Sequence, residues 1–365
     1  MKKNIIFFLP NFSKGGAGNS ILKLCKNLNK KKYNIFTISL KKNSYKTELE
    51  KNHIKVFEVN ISKTIFALNF IVKNILKKNK LDKKSSIFIS NINYANVLSL
   101  IVLKIIYSYK VAIIERTPLQ ELDYFYGVID FFKKKITKIL MFFFYKKADL
   151  IICNSKKTSI DIKNFVSKDS KYVYPLTITK IKKKKLGTKK IKILKILSIG
   201  RLSKEKNFKD IIKSISLLNF KFFELVLLGN GKEKNFLNSL INRYKIKAKI
   251  INFSEKKAQE YFKKSHLYIN SSHFEGFPNA VVDAINNDLP IISSKSHGGI
   301  GEILLNGKGG VFYNQGNYKE LADKIEMVRT NYIKYLHKKN LAKQNLFRFT
   351  EKKNIRKFER YIDII

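Results

Sequence analysis

The sequence predicts an α/β fold built as two doubly wound, Rossmann-like halves. Short apolar runs alternate with longer amphipathic ones, the pattern of strands feeding crossover helices. The plan of strand, glycine or polar turn, then helix occurs on both sides of a lysine-rich stretch at 180–190. The length of 365 residues fits two domains at roughly 150 residues each.

In the first half, strands are expected at 4–9, 33–40, 55–59, 87–90, 110–115 and 150–154, with helices at 20–29, 64–79, 95–107 and 130–146. Met1-Lys2-Lys3 before an apolar run has the start of a signal peptide, but the run is short and Pro10 cuts it, so a buried strand is expected. Tyr172-Val173-Tyr174-Pro175 leads into the charged stretch, which lacks helical period and contains Gly187. In the second half, strands are expected at 193–199, 224–228, 249–253, 267–270 and 290–293. Helices are expected at 208–218, 258–264, 279–286, 318–329 and over much of 331–365. The expected organisation is a first domain at 1–178, a basic linker at 179–190, a second domain at 191–344 and a C-terminal helix at 345–365 that returns to the first domain.

Composition narrows the function classes. Hydrophobic residues make up 44% and charged residues 28%, enough for packed cores and against wholesale disorder. Cys25 and Cys153 are too few for a disulfide scaffold or a multi-cysteine zinc module, and both read as buried thiols in a reducing cytoplasm. No apolar run reaches the roughly 18 residues of a membrane span. The net charge of +47 invites a nucleic-acid partner. Only seven of the 74 basic residues are arginine, however, and lysine, asparagine and isoleucine rise together, as biased base composition would produce. Nucleic acid is therefore not the expected partner; a polyanionic substrate or an anionic membrane is.

Four loops carry candidate chemistry. Ser13-Lys14-Gly15-Gly16-Ala17-Gly18 joins the first strand to the first helix, where free amides suit an anion; a plain tight turn would read the same. Gly200-Arg201-Leu202 with Lys206 sets two cations five apart at the end of a strand, suited to neutralising a diphosphate. Glu275-Gly276-Phe277-Pro278-Asn279 leads into a helix with Asp283 in its second turn. Asn279 is expected to cap that helix, and the two carboxylates to accept from sugar hydroxyls. His297-Gly298-Gly299 closes a later strand.

Together these residues resemble the family 4 glycosyltransferases, retaining enzymes of the GT-B fold that use sugar nucleotides. The signature is the acid pair Glu275 and Asp283, joined by Gly200-Arg201-Leu202 with Lys206, by Gly15-Gly16, and by His297-Gly298-Gly299-Ile300-Gly301-Glu302. The resemblance implies two parallel sheets facing across a cleft, and roles for each motif. Arg201 and Lys206 hold the donor diphosphate, and Gly15 and Gly16 close on it from the first domain. Glu275 binds sugar hydroxyls, with Gly276, Phe277, Pro278 and Asn279 beside it. Asp283, where the family usually has the longer glutamate, holds the ribose, and the turn at Ser254 meets the base. Glu115, Arg116 and His297 are the acceptor-side candidates, with no histidine near Glu115-Arg116 as many relatives have. No two aspartates lie two apart, so no metal and no other cofactor is expected, the cations serving instead.

The implied reaction moves a sugar from a nucleotide-sugar, UDP-linked, to a saccharide or lipid-linked saccharide in surface polysaccharide or lipopolysaccharide assembly. A nucleotide-sugar epimerase of the same fold and a non-catalytic basic binding protein are the alternatives. Among the histidines, His53, His266 and His337 read as structural, while His273 and His297 lie in motif loops. Residues 131–147 hold six lysines and no acid, with Phe132, Ile136, Ile139 and Phe143 on one helical face. That stretch reads either as a packed helix or as a peripheral membrane contact on the cytoplasmic side.

Overall fold

The computed structural model describes residues 2–183 and 191–365. Residues up to Leu176 together with Glu351–Ile365 form one compact unit, and Thr177–Thr350 a second.

The first unit is a parallel sheet of β1 (Lys3–Phe8), β2 (Tyr33–Ser39), β3 (Lys55–Glu58), β4 (Ser86–Asn91), β5 (Lys110–Glu115), β6 (Leu150–Cys153) and β7 (Lys171–Tyr172), in the order β3-β2-β1-β4-β5-β6-β7. Its strands are apolar along both faces because helices cover both. Ile6 and Phe8 of β1 point into one core with Ala67, Leu68, Met141 and Ile162. Ile5 and Phe7 point into the other with Ile21, Leu24, Leu49, Ile355 and Phe358. The C-terminal helix Glu351–Asp363 thus completes the second face: Phe358 stacks on Phe7 at 6.2 Å, and Tyr33 donates to Asp363 at 2.5 Å.

The second unit contains β8 (Leu194–Ile199), β9 (Phe223–Leu228), β10 (Ala248–Ile251), β11 (Leu267–Asn270), β12 (Phe274–Glu275), β13 (Ile291–Ser294), β14 (His297–Gly298) and β15 (Val311–Tyr313). Its parallel main sheet has the order β10-β9-β8-β11-β13-β15, with β12 and β14 paired separately. Helix Phe208–Ser216 lays Phe208, Ile211, Ile212 and Ile215 onto this sheet beside Leu321, Ile325 and Val328. The α/β fold in two parallel sheets is the one expected.

Several boundaries differ. Thr177 and Ile178 belong to the second unit, where Ile178 bridges Thr350. Of the basic stretch at 179–190, residues 184–190 lie outside the described residues. Its opening residues sit on the second unit: Lys182 N–H donates to Asn286 at 2.9 Å. The expected helix over 331–365 is interrupted by a 3-10 turn at Leu346–Phe349 and by Thr350, extended at ψ 144°. Helices Lys46–Lys51, Lys156–Val166 and Lys234–Arg243 and the short β7 and β15 were not foreseen: strands of two or three residues are too short to show a period, whereas Leu237, Leu240 and Ile241 do form a helical apolar set that sequence reasoning passed over. Helices Thr64–Phe70 and Asn93–Ser99 continue as wider π-helical segments at Ile71–Leu76 and Leu100–Ile106. Among the described residues no helix is long and apolar enough to cross a membrane. Cys25 and Cys153 are free and buried, as expected.

Candidate functional site

In the second unit the strand order reverses between β8 and β11, which are neighbours in the sheet. Chains leaving the carboxyl ends of such a pair turn to opposite faces and leave a crevice between them, the usual ligand position in open α/β sheets. The two loops at that point are 200–207 and 271–278, the ones that carry the motif residues.

Side chains from the two loops meet directly. Lys206 Nζ donates to Glu275 Oε1, and the Ser272 hydroxyl donates to the same oxygen at 2.9 Å. Two further bonds staple the loops: Ser271 Oγ donates to the Lys206 carbonyl at 2.7 Å, and His273 N–H to the Glu205 carbonyl at 2.9 Å. The Ser272 carbonyl in turn accepts from Oγ of Ser294, the last residue of β13, at 2.6 Å. Arg201 is exposed, its Nη1 3.8 Å from Glu205 Oε1, so its guanidinium stands in solvent beside the pair. Below them, the Tyr268 hydroxyl bridges the N–H and carbonyl of Ile199. Burial, and then the charges of Glu275 and Asp283, push that hydroxyl well above its usual range. Burial likewise lowers His273, opposed by the nearby Asp210.

Close backbone approach explains the glycines around these loops. A Cβ on Gly229 would lie 1.9 Å from the Gly200 carbonyl oxygen, so the turns after β8 and β9 pack main chain to main chain. Gly298 has φ +103°, and a Cβ there would lie 1.8 Å from the carbonyl oxygen of Glu275, its partner in the β12–β14 pairing. The loop bearing Glu275 is thus seated against a position that tolerates no side chain.

Helix Asn279–Asn286 starts differently from expectation. Pro278 is its N-cap and no side chain caps it; Asn279 is already helical and its Oδ1 accepts from Thr177 at 3.0 Å. Asp283 lies half-buried in the second turn. Gly276, Phe277 and Pro278 are all buried, Phe277 edge-on against Phe349 at 5.1 Å. Ser254 is an N-cap, accepting from Lys257 N–H at 3.2 Å at the start of helix Glu255–Lys264. His297 is exposed on β14.

The candidates of the first unit take other places. Around Gly15 and Gly16 a side chain would meet nothing within 4 Å; the glycine that packing demands is Gly18, whose Cβ would lie 2.4 Å from the Ser13 carbonyl oxygen. Glu115 is 1% exposed and offers no surface to a ligand. It accepts from Tyr145 at 2.7 Å and from Thr117 Oγ1 at 3.1 Å, and burial raises its pKa despite these bonds. Its carboxylate is enclosed by Tyr145 and Thr117 rather than turned to solvent, where an acceptor-side group was expected. Arg116, half-buried, is the outward member, donating to Asn91 Oδ1 at 3.0 and 3.1 Å; burial lowers its pKa to about 10. Asn91 ends β4, at the reversal between β1 and β4, and donates to the Phe8 carbonyl at 3.2 Å. Next to it Ile92 has φ +79°, a strained position for a β-branched residue. Sequence reasoning gave no role to Ile92, Tyr268, Ser271 or Ser272, the last two at the head of the Glu275 motif, because strain and loop-to-loop bonds leave no motif.

Residues 179–345 match the family described as glycosyl transferases group 1. The matched stretch lies within the second unit. Over 184 residues, 47% of the chain and 45% of the relative, the protein is 29% identical to an uncharacterized glycosyltransferase of Methanocaldococcus jannaschii. Over 178 residues, 47% of the chain and 48% of the relative, it is 29% identical to the N-acetylgalactosamine-N,N'-diacetylbacillosaminyl-diphospho-undecaprenol 4-alpha-N-acetylgalactosaminyltransferase of Campylobacter jejuni. These matches span about half the length of each relative. The crystal structure of Anabaena HepE in complex with UDP and glucose superposes over 100% of both chains, with TM-score 0.77 and 17% identity. The fold is therefore GT-B. Lys206, Glu275 and Asp283 all lie inside the stretch that matches that family, whereas Glu115, Arg116, Gly15 and Gly16 lie outside it.

Proposed function

We propose that the protein is a glycosyltransferase that moves a sugar from a UDP-sugar to a saccharide or lipid-linked saccharide. The observation that carries this reading is the Lys206–Glu275 contact at the strand reversal of the second unit, with Arg201 exposed on the same loop as Lys206. A cation and an acid held together supply the two things a nucleotide-sugar needs. Lys206 and Arg201 neutralise the diphosphate, so that the charge developing on the leaving nucleotide is met by fixed cations. Glu275, released from Lys206 by the incoming phosphate, accepts from hydroxyls of the sugar. Asp283 takes the ribose hydroxyls, and the main chain of 276–279 and the turn at Ser254 contact the rest of the donor.

No divalent metal is required in this reading, because the two cations carry the charge a metal would. Transfer proceeds with retention: the acceptor oxygen attacks the anomeric carbon on the face the nucleotide leaves, the bond to the phosphate oxygen breaks, and that oxygen takes the acceptor's proton. The diphospho-undecaprenol acceptor named for the Campylobacter relative, and the UDP bound in the Anabaena structure, support a UDP donor and a lipid-linked acceptor.

The test is titration of UDP into the protein in the presence of a chelator, followed by incubation with radiolabelled UDP-sugars and undecaprenyl-linked saccharides. Binding without metal, lost in Lys206→Ala, supports the reading. Isomerised donor without acceptor would instead mark an epimerase. Absence of UDP binding, with steeply salt-sensitive nucleic-acid binding in its place, would overturn it.

A further inference from the structure

Helix Val128–Phe144 has seventeen residues, eleven of them large and apolar, yet only Met141 among them is buried. At 3.6 residues per turn, Val128, Ile129, Phe132, Ile136, Ile139 and Phe143 fall within an arc of roughly 100°. All six point to solvent; Val128, Ile129, Phe132 and Phe143 remain 72%, 73%, 58% and 60% exposed. A folded protein does not ordinarily leave such a stripe uncovered.

Charged residues border the stripe. Lys134 pairs with Asp130 at 3.2 Å and Lys138 with Asp123 at 2.7 Å, while the flanking Lys135 stands 4.0 Å from the same Asp123. Lys133 and Lys135 flank it, and Lys146, with its ammonium 4.5 Å from the Phe142 ring, follows at the end. The outward side is therefore apolar in the middle and cationic at its borders.

We propose that this helix docks the first unit onto an anionic lipid bilayer, lying in the plane of the interface with the six apolar side chains sunk below the headgroups and the flanking lysines on lipid phosphates. The helix is about 25 Å long at 1.5 Å per residue, too short to span, and its strongly one-sided apolar face suits an interfacial position. A second copy of this chain is the poorer occupant, because pairing the stripes would bring Lys133 and Lys135 of both copies together in a protein already at +47. The inference stands apart from the sugar-transfer reading, since it concerns a surface outside the stretch that matches the group 1 family.

The chain has no tryptophan, so Phe132→Trp in the full-length protein is a single reporter. On phosphatidylglycerol vesicles its emission moves to shorter wavelength and is quenched by brominated acyl chains; on phosphatidylcholine vesicles the affinity is at least about tenfold weaker. The double variant Ile136→Ser with Ile139→Ser lowers sedimentation with phosphatidylglycerol vesicles at least about tenfold while its melting temperature and UDP binding stay those of the parent. Emission unmoved on either vesicle, undiminished sedimentation of the double variant, or light scattering that shows a dimer abolished by the double variant would each overturn the proposal.

Discussion

Lys206 and Glu275 are hydrogen-bonded to each other, although 69 residues separate them in the chain. The pair joins the loop after β8 to the loop after β11, and each side chain is mostly shielded, at 22% and 16% exposed. Neither is satisfied by solvent alone, so a ligand entering here must replace one partner for the other. In the proposed reading a diphosphate does this for the cation and sugar hydroxyls for the acid.

Replacing either residue by alanine is expected to lower transfer by about 10²–10³ in kcat, the effect of losing one fixed electrostatic contact to a developing charge. The two variants should separate on binding. Lys206→Ala weakens UDP itself, whereas Glu275→Ala keeps UDP affinity and loses the added affinity of the sugar. Arg201→Ala, at an exposed position, lowers turnover with no change in melting temperature beyond a degree or two. Calorimetry with UDP and with UDP-sugar reads all three, and a Glu275→Ala enzyme with full activity would contradict the assignment.

Gly298→Ala should be severely destabilising. The new methyl would overlap the Glu275 carbonyl oxygen at 1.8 Å, and φ +103° is itself unfavourable for any residue with a Cβ. A loss of about 2–4 kcal/mol in urea unfolding is expected, together with loss of donor binding because β12 must move. Gly15→Ala, where a side chain meets nothing within 4 Å, is the control and should unfold at the parent's midpoint.

Glu115 is expected to make stability fall with rising pH. Burial raises its native pKa above the ordinary 4.5, so the folded state favours the protonated carboxyl. The stabilisation this gives is complete below the unfolded pKa and is lost as pH rises through the raised native value. Glu115→Gln cannot ionise. The difference in urea midpoint, Glu115→Gln minus parent, should therefore increase from pH 4.5 toward neutrality. A difference that stays flat with pH would show that the carboxyl titrates normally.

Phe358→Ala should cost about 3–5 kcal/mol, because it opens a cavity where the C-terminal helix meets Phe7 under the first sheet. Ile364→Ala, at a side chain 75% exposed, should lie within about 0.5 kcal/mol of the parent. Equal effects from both would mean that the terminal helix adds no core to that unit.

The strands were legible in the sequence because parallel strands covered on both faces must be apolar throughout. Runs such as Ile5–Leu9 and 110–115 can therefore be read without any partner. The residue types of the candidate site were legible too, since cations at a strand end and acids at a helix start suit a diphosphate and a sugar. What the sequence could not decide is which of these groups meet, which are covered, and which stand out. Glu115 and Arg116 are adjacent and equally polar, yet one is sealed under Tyr145 and the other turns to Asn91. The helix at 128–144 has the apolar content of a core element, yet lies bare along most of its length. Periodicity reports how apolar a face is, whereas burial depends on what other elements cover it, and that is set only when sheets order their strands and bring distant loops together.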